Sequence, residues 1–356
     1  MVSLIKKGLS TIRNDGLTVL ALRIARFSIV KLKRMTRKEN IINLQKWKNL
    51  EGKYAGKRIF VIGNGPSLNS TPLHLLKNEY TMCFNRFNLM FERIGWRPSF
   101  YMVTDDLVVR DIHKEINEEI LPKVQYAIFP DIHPSNVEFT KYIEQRDNVL
   151  WIKTDMPEFR SDLPSCGINL TVVNAGLQVA AFLGFSEIYL VGVDMNFSDQ
   201  KVKKITSRDW EASEQDPNHF DPRYFGKGKK YHNPAVNDMI IKFYQGKAFF
   251  DKLNVKIFNA GIGGNLEAFP RVGFTTLFNY SESEKEAFLG AVEILKEYNI
   301  AVNDLKNSPV ITDFQTQLPA LFQAPADIAI NQVSKLILSH IPLGPFENTY
   351  YFISRK

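Results

Sequence analysis

"RIFVIGNGPSLNS", residues 58 to 70, runs four apolar residues together and then breaks into Gly63-Asn64-Gly65-Pro66-Ser67. A short, continuous apolar run closed by a glycine-bearing turn reads as a strand buried on both faces, and such strands belong to parallel sheets covered by helices. The signature recurs near 80–84 (YTMCF), 99–104 (SFYMVT), 125–129 (QYAIF), 148–152 (NVLWI), 187–193 (EIYLVGV) and 255–258 (VKIF). Between the fifth and sixth runs, "LTVVNAGLQVAAFLGF" (170–185) has helical length and small residues, with Gly184 placed to stop it. It predicts a buried helix. Seven strands of this kind predict an α/β fold, a Rossmann-like, mostly parallel sheet with helices on both faces. No self-similarity at 20 to 50 residues is present, which excludes solenoids and propellers.

The chain has 356 residues, 44% of them hydrophobic, enough for one large core or two smaller ones and without the bias of a disordered chain. Cys83 and Cys166 stand far apart with no CxxC spacing, so they read as packing residues in a reducing compartment. The net charge of +7 is unevenly spread. Residues 1 to 39 hold ten basic and two acidic side chains, +8, which leaves the remainder near −1. No apolar run reaches the roughly 18 residues of a spanning helix, and no secretory signal is recognisable.

On a helical wheel Leu17, Leu20, Ile24 and Phe27 share one side of this arm, and Arg23, Arg26, Arg34 and Arg37 another. Two readings fit: a helix lying on an anionic membrane surface, or a basic helix packed on its own domain. Nucleic acid is not the expected partner, because basic and aromatic residues do not interleave as a stacking groove requires. The expected organisation is a basic helical arm (1–50), a nucleotide-binding catalytic domain (51–280) and a mostly helical extension (281–356), with an amphipathic helix at 326–341. The expected location is cytoplasmic, peripheral at the inner face of the membrane.

Residues 198 to 235 are polar, charged and punctuated by Gly and Pro. A segment of that length reads as a lid over an active site or as a surface insertion, and its His219, Arg223, Tyr224, Lys227, Lys229, Lys230, Tyr231 and His232 favour a lid. At the exit of the first strand, Gly63 and Gly65 are expected to turn with positive φ. The amides at the start of the following helix are expected to receive phosphate oxygens, with Ser67 and Asn69 capping that helix. The spacing is neither a Walker A loop nor GxGxxG. A tight turn without a ligand is the alternative.

"GNGPSL" (63–68), "CFNRFN" (83–88), "LGFSEIYLVGVDMNF" (183–197) and "YHNPAVNDMI" (231–240) together resemble the bacterial family-42 sialyltransferases and the MptE-like 6-hydroxymethylpterin diphosphokinase family, over residues 55 to 265. The resemblance implies that Gly63, Asn64, Gly65, Pro66, Ser67 and Asn85 hold a CMP-linked donor, with Asp194 of "GVDMNF" beside them and His232 as catalytic base. It departs at "TDD", Thr104-Asp105-Asp106, where the sialyltransferases have an Asn, and at Asn196, where they have a Tyr. A carboxylate there repels a sialic acid unless a cation intervenes. Asp105, with Asp106, therefore reads either as a Mg²⁺ site on a diphosphate or as a helix N-cap. Phosphate neutralisation would then fall to Tyr224, Lys227 or Lys229, beside Tyr231. His113 and His133 read as surface residues.

Three functions are consistent with these residues: an inverting glycosyltransferase extending a surface glycan from a nucleotide-sugar, acting on a glycan or lipid-linked acceptor; a Mg²⁺-dependent diphosphokinase acting on a hydroxymethylpterin; and a nucleotide-sugar-binding protein without chemistry. The basic arm favours the first, and the Asp pair the second. No tightly bound cofactor is expected beyond the donor and that Mg²⁺. An open sheet edge leaves room for pairing with a second copy.

Overall fold

A computed structural model describes residues 17–35, 42–206 and 209–278. All seven expected strands form: β1 (Arg58–Ile62), β2 (Tyr80–Phe84), β3 (Phe100–Met102), β4 (Tyr126–Pro130), β5 (Val149–Ile152), β6 (Glu187–Val191) and, at the far end, β10 (Lys256–Asn259). They make one parallel sheet in the order β10-β6-β1-β2-β3-β4-β5. The order reverses at β1, whose neighbours are β2 and β6, and this is where ligands bind in open α/β sheets.

Strand side chains alternate between two cores, as the period of two requires. Phe60, Ile62, Cys83, Tyr101 and Phe129 join one core with α3 (Asp106–Glu115), while Ile59, Val61, Met82, Phe84 and Met102 join the other. The second face is covered by α2 (Leu44–Leu50), α4 (Val172–Phe182) and α5 (Val236–Asp251). Helix α4 is the buried helix expected at 170–185: Thr171 caps it, and Gly184 beyond its end has φ +93°. Cys83 and Cys166 are buried free thiols, and burial pushes Cys166 up to about 12.

The arm divides. Trp47 and Leu50 are buried in the second core, and the Trp47 Nε1 donates to Trp151 O at 2.9 Å, so α2 belongs to the body. Helix α1 (Leu17–Met35) docks through Val30, Lys33 and Arg34. Arg34 forks onto Asp131 (2.6 and 2.7 Å) and also reaches Asp155; Lys33 lies 3.2 Å from Glu138. Arg34 is thus spent on the domain rather than left on an open basic face. Arg37, the helix at 326–341 and the extension 281–356 lie outside the described residues.

The segment 198–235 is not the plain loop its composition suggests. It folds as an antiparallel sheet of β7 (Val202–Lys204), β8 (Asp209–Ala212) and β9 (Lys230–His232), anchored by buried Phe220 and Tyr224. The aromatic residues scattered among its charges supply the burial that a polar loop lacks. Among the described residues no helix is long and apolar enough to cross a membrane.

Candidate active site

The loop after β1 is closed upon itself. Gly63 N–H donates to Val191 O at 2.7 Å and Gly65 N–H to Gly192 O at 2.8 Å. Asp194 accepts from the Ser67 amide (2.9 Å) and from the Ser67 hydroxyl. The amides expected to cradle phosphate are largely engaged, with a carboxylate already seated at Ser67. Gly63 and Gly65 are required for close approach, not for positive φ: Gly65 has φ −67°, and a Cβ there would lie 2.3 Å from Asp194 Oδ2. The positive φ belongs to Gly192 (+64°), Met195 (+48°) and Asn85 (+52°), at the exits of β6 and β2. Pro66 opens a short 3-10 turn rather than a longer helix, and that turn has no side-chain cap. Asn69 bonds instead to Arg93 (2.6 Å) and to Phe220 O (3.0 Å), and Phe220 N–H donates to Asn64 O at 3.0 Å, so the lid segment is seated on the loop.

Two amide side chains remain incompletely satisfied at this edge. Asn64 Nδ2 donates to Phe84 O at 3.3 Å, but Asn64 Oδ1 is buried with no hydrogen-bond partner, and so is Asn85 Oδ1. Orphaned buried acceptors are rare in native proteins. They suit the hydroxyl or amino donors of a nucleoside.

The second cluster stands at the start of α3. Asp105 is its N-cap, its Oδ1 accepting from Leu107 N (2.8 Å) and Val108 N (3.2 Å), and this fulfils the capping alternative read at "TDD". Across from it, Asp209 and His232 are direct partners in the β8–β9 ladder, and Asp209 Oδ1 lies 2.9 Å from His232 Nδ1. The other ring nitrogen, Nε2, faces Asp106 Oδ1 at 3.5 Å and Asp105 Oδ1 at 3.7 Å. In the tautomer whose Nδ1–H donates to Asp209, Nε2 carries the lone pair. Ligand atoms of Asp105, Asp106 and His232 lie within 4.8 Å of one another and could hold a divalent ion. Two carboxylates and an imidazole suit Mn²⁺ or Zn²⁺ better than Mg²⁺, which prefers oxygen throughout. His133, read as a surface residue, is buried, with Nδ1 3.4 Å from Asp106 Oδ1. His113 is half-buried against Tyr142.

Cationic groups gather beside this cluster. Arg86, 7% exposed, pairs with Asp111 of α3, which Lys229 also reaches at 2.9 Å. Burial lowers the Arg86 and Lys229 pKa values, and the proximity of Arg86 lowers that of Lys229 further. The Arg86 Nε is buried without a partner. Tyr224, by contrast, is 1% exposed and stacked on His219 at 3.9 Å, and Tyr231 donates to Gln200 Oε1 at 2.9 Å. Both tyrosines brace the segment 209–232. Sequence reasoning missed Asp209, Arg86 and Asp111. Arg86 stands inside "CFNRFN", where its place directly after Asn85 was a usable signal; Asp209 and Asp111 reach the site only through strand pairing and helix packing.

Residues 34–200 match the model of the family described as 6-hydroxymethylpterin diphosphokinase MptE-like. The resemblance read from residues 63–68, 83–88 and 183–197 therefore holds over that stretch; Asp209, Lys229 and His232 lie beyond it. Among solved structures the chain is similar to the sialyltransferase CstII from Campylobacter jejuni, in complex with the substrate analogue CMP-3FNeuAc, at 16% identity. That match covers 63% of this chain and 89% of the other, with a TM-score of 0.37. No curated protein matches the sequence.

Proposed function

We propose that the protein is a transferase that moves a sugar from a nucleotide-activated donor to an acceptor hydroxyl, with His232 as general base. The observation that carries this reading is the Asp209–His232 pair: a carboxylate fixes the ring through Nδ1, and Nε2 is directed at the carboxyl edge of the sheet. Nε2 takes the proton of the acceptor hydroxyl as the new C–O bond forms, and the bond to the donor phosphate breaks with its electron pair leaving on the nucleotide. Attack from the face opposite the leaving group inverts the anomeric centre. Asn64 and Asn85 would read the nucleoside, and Arg86 with Lys229 would offset the charge of the departing phosphate. The acceptor class is a surface glycan or its lipid-linked precursor.

A second reading is favoured by the Asp105-Asp106-His232 trio and by the name of the matched family: a diphosphoryl transfer assisted by a divalent ion. The two readings compete for one atom, since a metal on Nε2 removes the lone pair that a base needs. Slow hydrolysis of CMP-, UDP- and GDP-linked sugars, followed as nucleotide release, tests the proposal. One donor class is expected to be hydrolysed at a rate that EDTA leaves unchanged, and His232→Ala is expected to lower kcat about 10²- to 10⁴-fold with little change in KM. Full activity in His232→Ala would overturn it. Loss of activity in EDTA and in Asp105→Asn would transfer the assignment to the metal-assisted reaction.

A further inference from the structure

We propose that helix α1 is a docking element that lays its outward arc on an anionic lipid bilayer. The helix is amphipathic the wrong way round for a segment covering a globular core. Val30, its buried residue, and Arg34 and Lys33, which pair with Asp131, Asp155 and Glu138, all lie on the side that meets the domain. Leu17, Ile24, Leu32 and Met35 recur at intervals of seven, eight and three, so they share the opposite arc, and they are 71%, 55%, 61% and 74% exposed. Leu22 and Ile29, at 59% and 44%, lie on the flank beside Lys33 and not on that arc. Ion pairs hold the helix down while its apolar side faces away.

Charge selects the occupant. Residues 1–39 carry ten basic against two acidic side chains, and Lys33 and Arg34 pair with the domain. A second copy laid on the same arc would bring two such cationic segments together. An anionic bilayer receives the apolar arc and the flanking charge at once, with exposed Lys31 beside Ile24 placed to reach headgroups over its own stem. The helix is not apolar enough to cross, so it lies in the interface.

Co-sedimentation of the full chain with phosphatidylcholine vesicles, with and without phosphatidylserine, tests this. The protein is expected to pellet with the serine-containing vesicles and to be released by high salt. The double variant Ile24→Glu, Met35→Glu alters two exposed positions and is expected to keep its thermal unfolding curve while partitioning at least about tenfold less. Lys31→Gln, which leaves the apolar arc whole, is expected to weaken binding less. Equal binding by the wild type and the double variant, or no binding by the wild type, would overturn the proposal. So would a dimer in light scattering that the double variant dissolves, since a second copy would then own the face.

Discussion

His232 is placed by its cross-strand partner: the β8–β9 register sets Asp209 opposite it, and the resulting 2.9 Å contact fixes which ring nitrogen looks toward Asp105 and Asp106. Replacing Asp209 by Asn keeps the shape but loses the charge that orients and supports the imidazole, so kcat for donor hydrolysis is expected to fall by roughly tenfold or more, less than in His232→Ala. Equal rates in Asp209→Asn and wild type would show that the pair is structural. Gly65 makes a different prediction. A Cβ there meets Asp194 Oδ2 at 2.3 Å and Gly192 O at 2.9 Å, so Gly65→Ala is expected to cost about 1–3 kcal/mol in urea unfolding through overpacking, before any effect on a ligand. The need for glycine was legible in "GNGPS", but its reason was not. Sequence suggests a turn of unusual φ, whereas the residue that forbids a side chain, Asp194, arrives from another strand.

At the scale of the element, the segment that holds β7 to β9 is a folded unit with its own polar centre. Asp216, 5% exposed, accepts from the amides of Asn218 and Phe225, both at 2.8 Å, and meets His219 Nδ1 at 2.7 Å. Burial pushes its pKa up, but His219 and the two amides pull harder, and the net shift is downward from 3.8. A carboxylate depressed by folding contributes stability that is complete above its unfolded pKa and lost as pH falls through the lower folded value. Pepsin cleavage within 209–232 is therefore expected to stay slow near pH 4 and accelerate toward pH 2. In Asp216→Asn it is expected to be fast at both. Cleavage independent of pH in the wild type would remove Asp216 from this role. Arg34 plays the matching part for α1: Arg34→Ala removes the guanidinium fork from Asp131, 1% exposed, and is expected to cost about 3 kcal/mol in urea unfolding. The segment 198–235 stood out in the sequence by its polar composition. Its sheet was hidden because strands of three and four residues are too short to show a period, and because Phe220 and Tyr224 find their cores in parts of the chain far from them in sequence.

Across the whole molecule, the seven strands were legible because a sheet covered on both faces must write each strand as an unbroken apolar run, and strand order then puts the exits of β1, β2 and β6 side by side. The resemblance to the sialyltransferases pointed to Asn64, Asn85 and His232, each at an expected strand exit or in the segment 198–235. Asp209 and Asp111 were out of reach, since each acts through a partner between 23 and 118 residues away, whereas Arg86 stood directly after Asn85. The central claim is that this edge binds a nucleotide through Asn64 and Asn85 and leaves His232 Nε2 available as a base. Thermal shift with CMP, UDP, GDP and ATP, each with EDTA or with Mg²⁺ and Mn²⁺, tests it most directly. One nucleotide is expected to stabilise the protein by about 2.7 kcal/mol at a hundred times its Kd, with and without EDTA. The shift is expected to vanish in Asn85→Ala and persist in His232→Ala. No shift with any nucleotide, or a shift that appears only with metal and disappears in both Asp105→Asn and His232→Ala, would contradict the account.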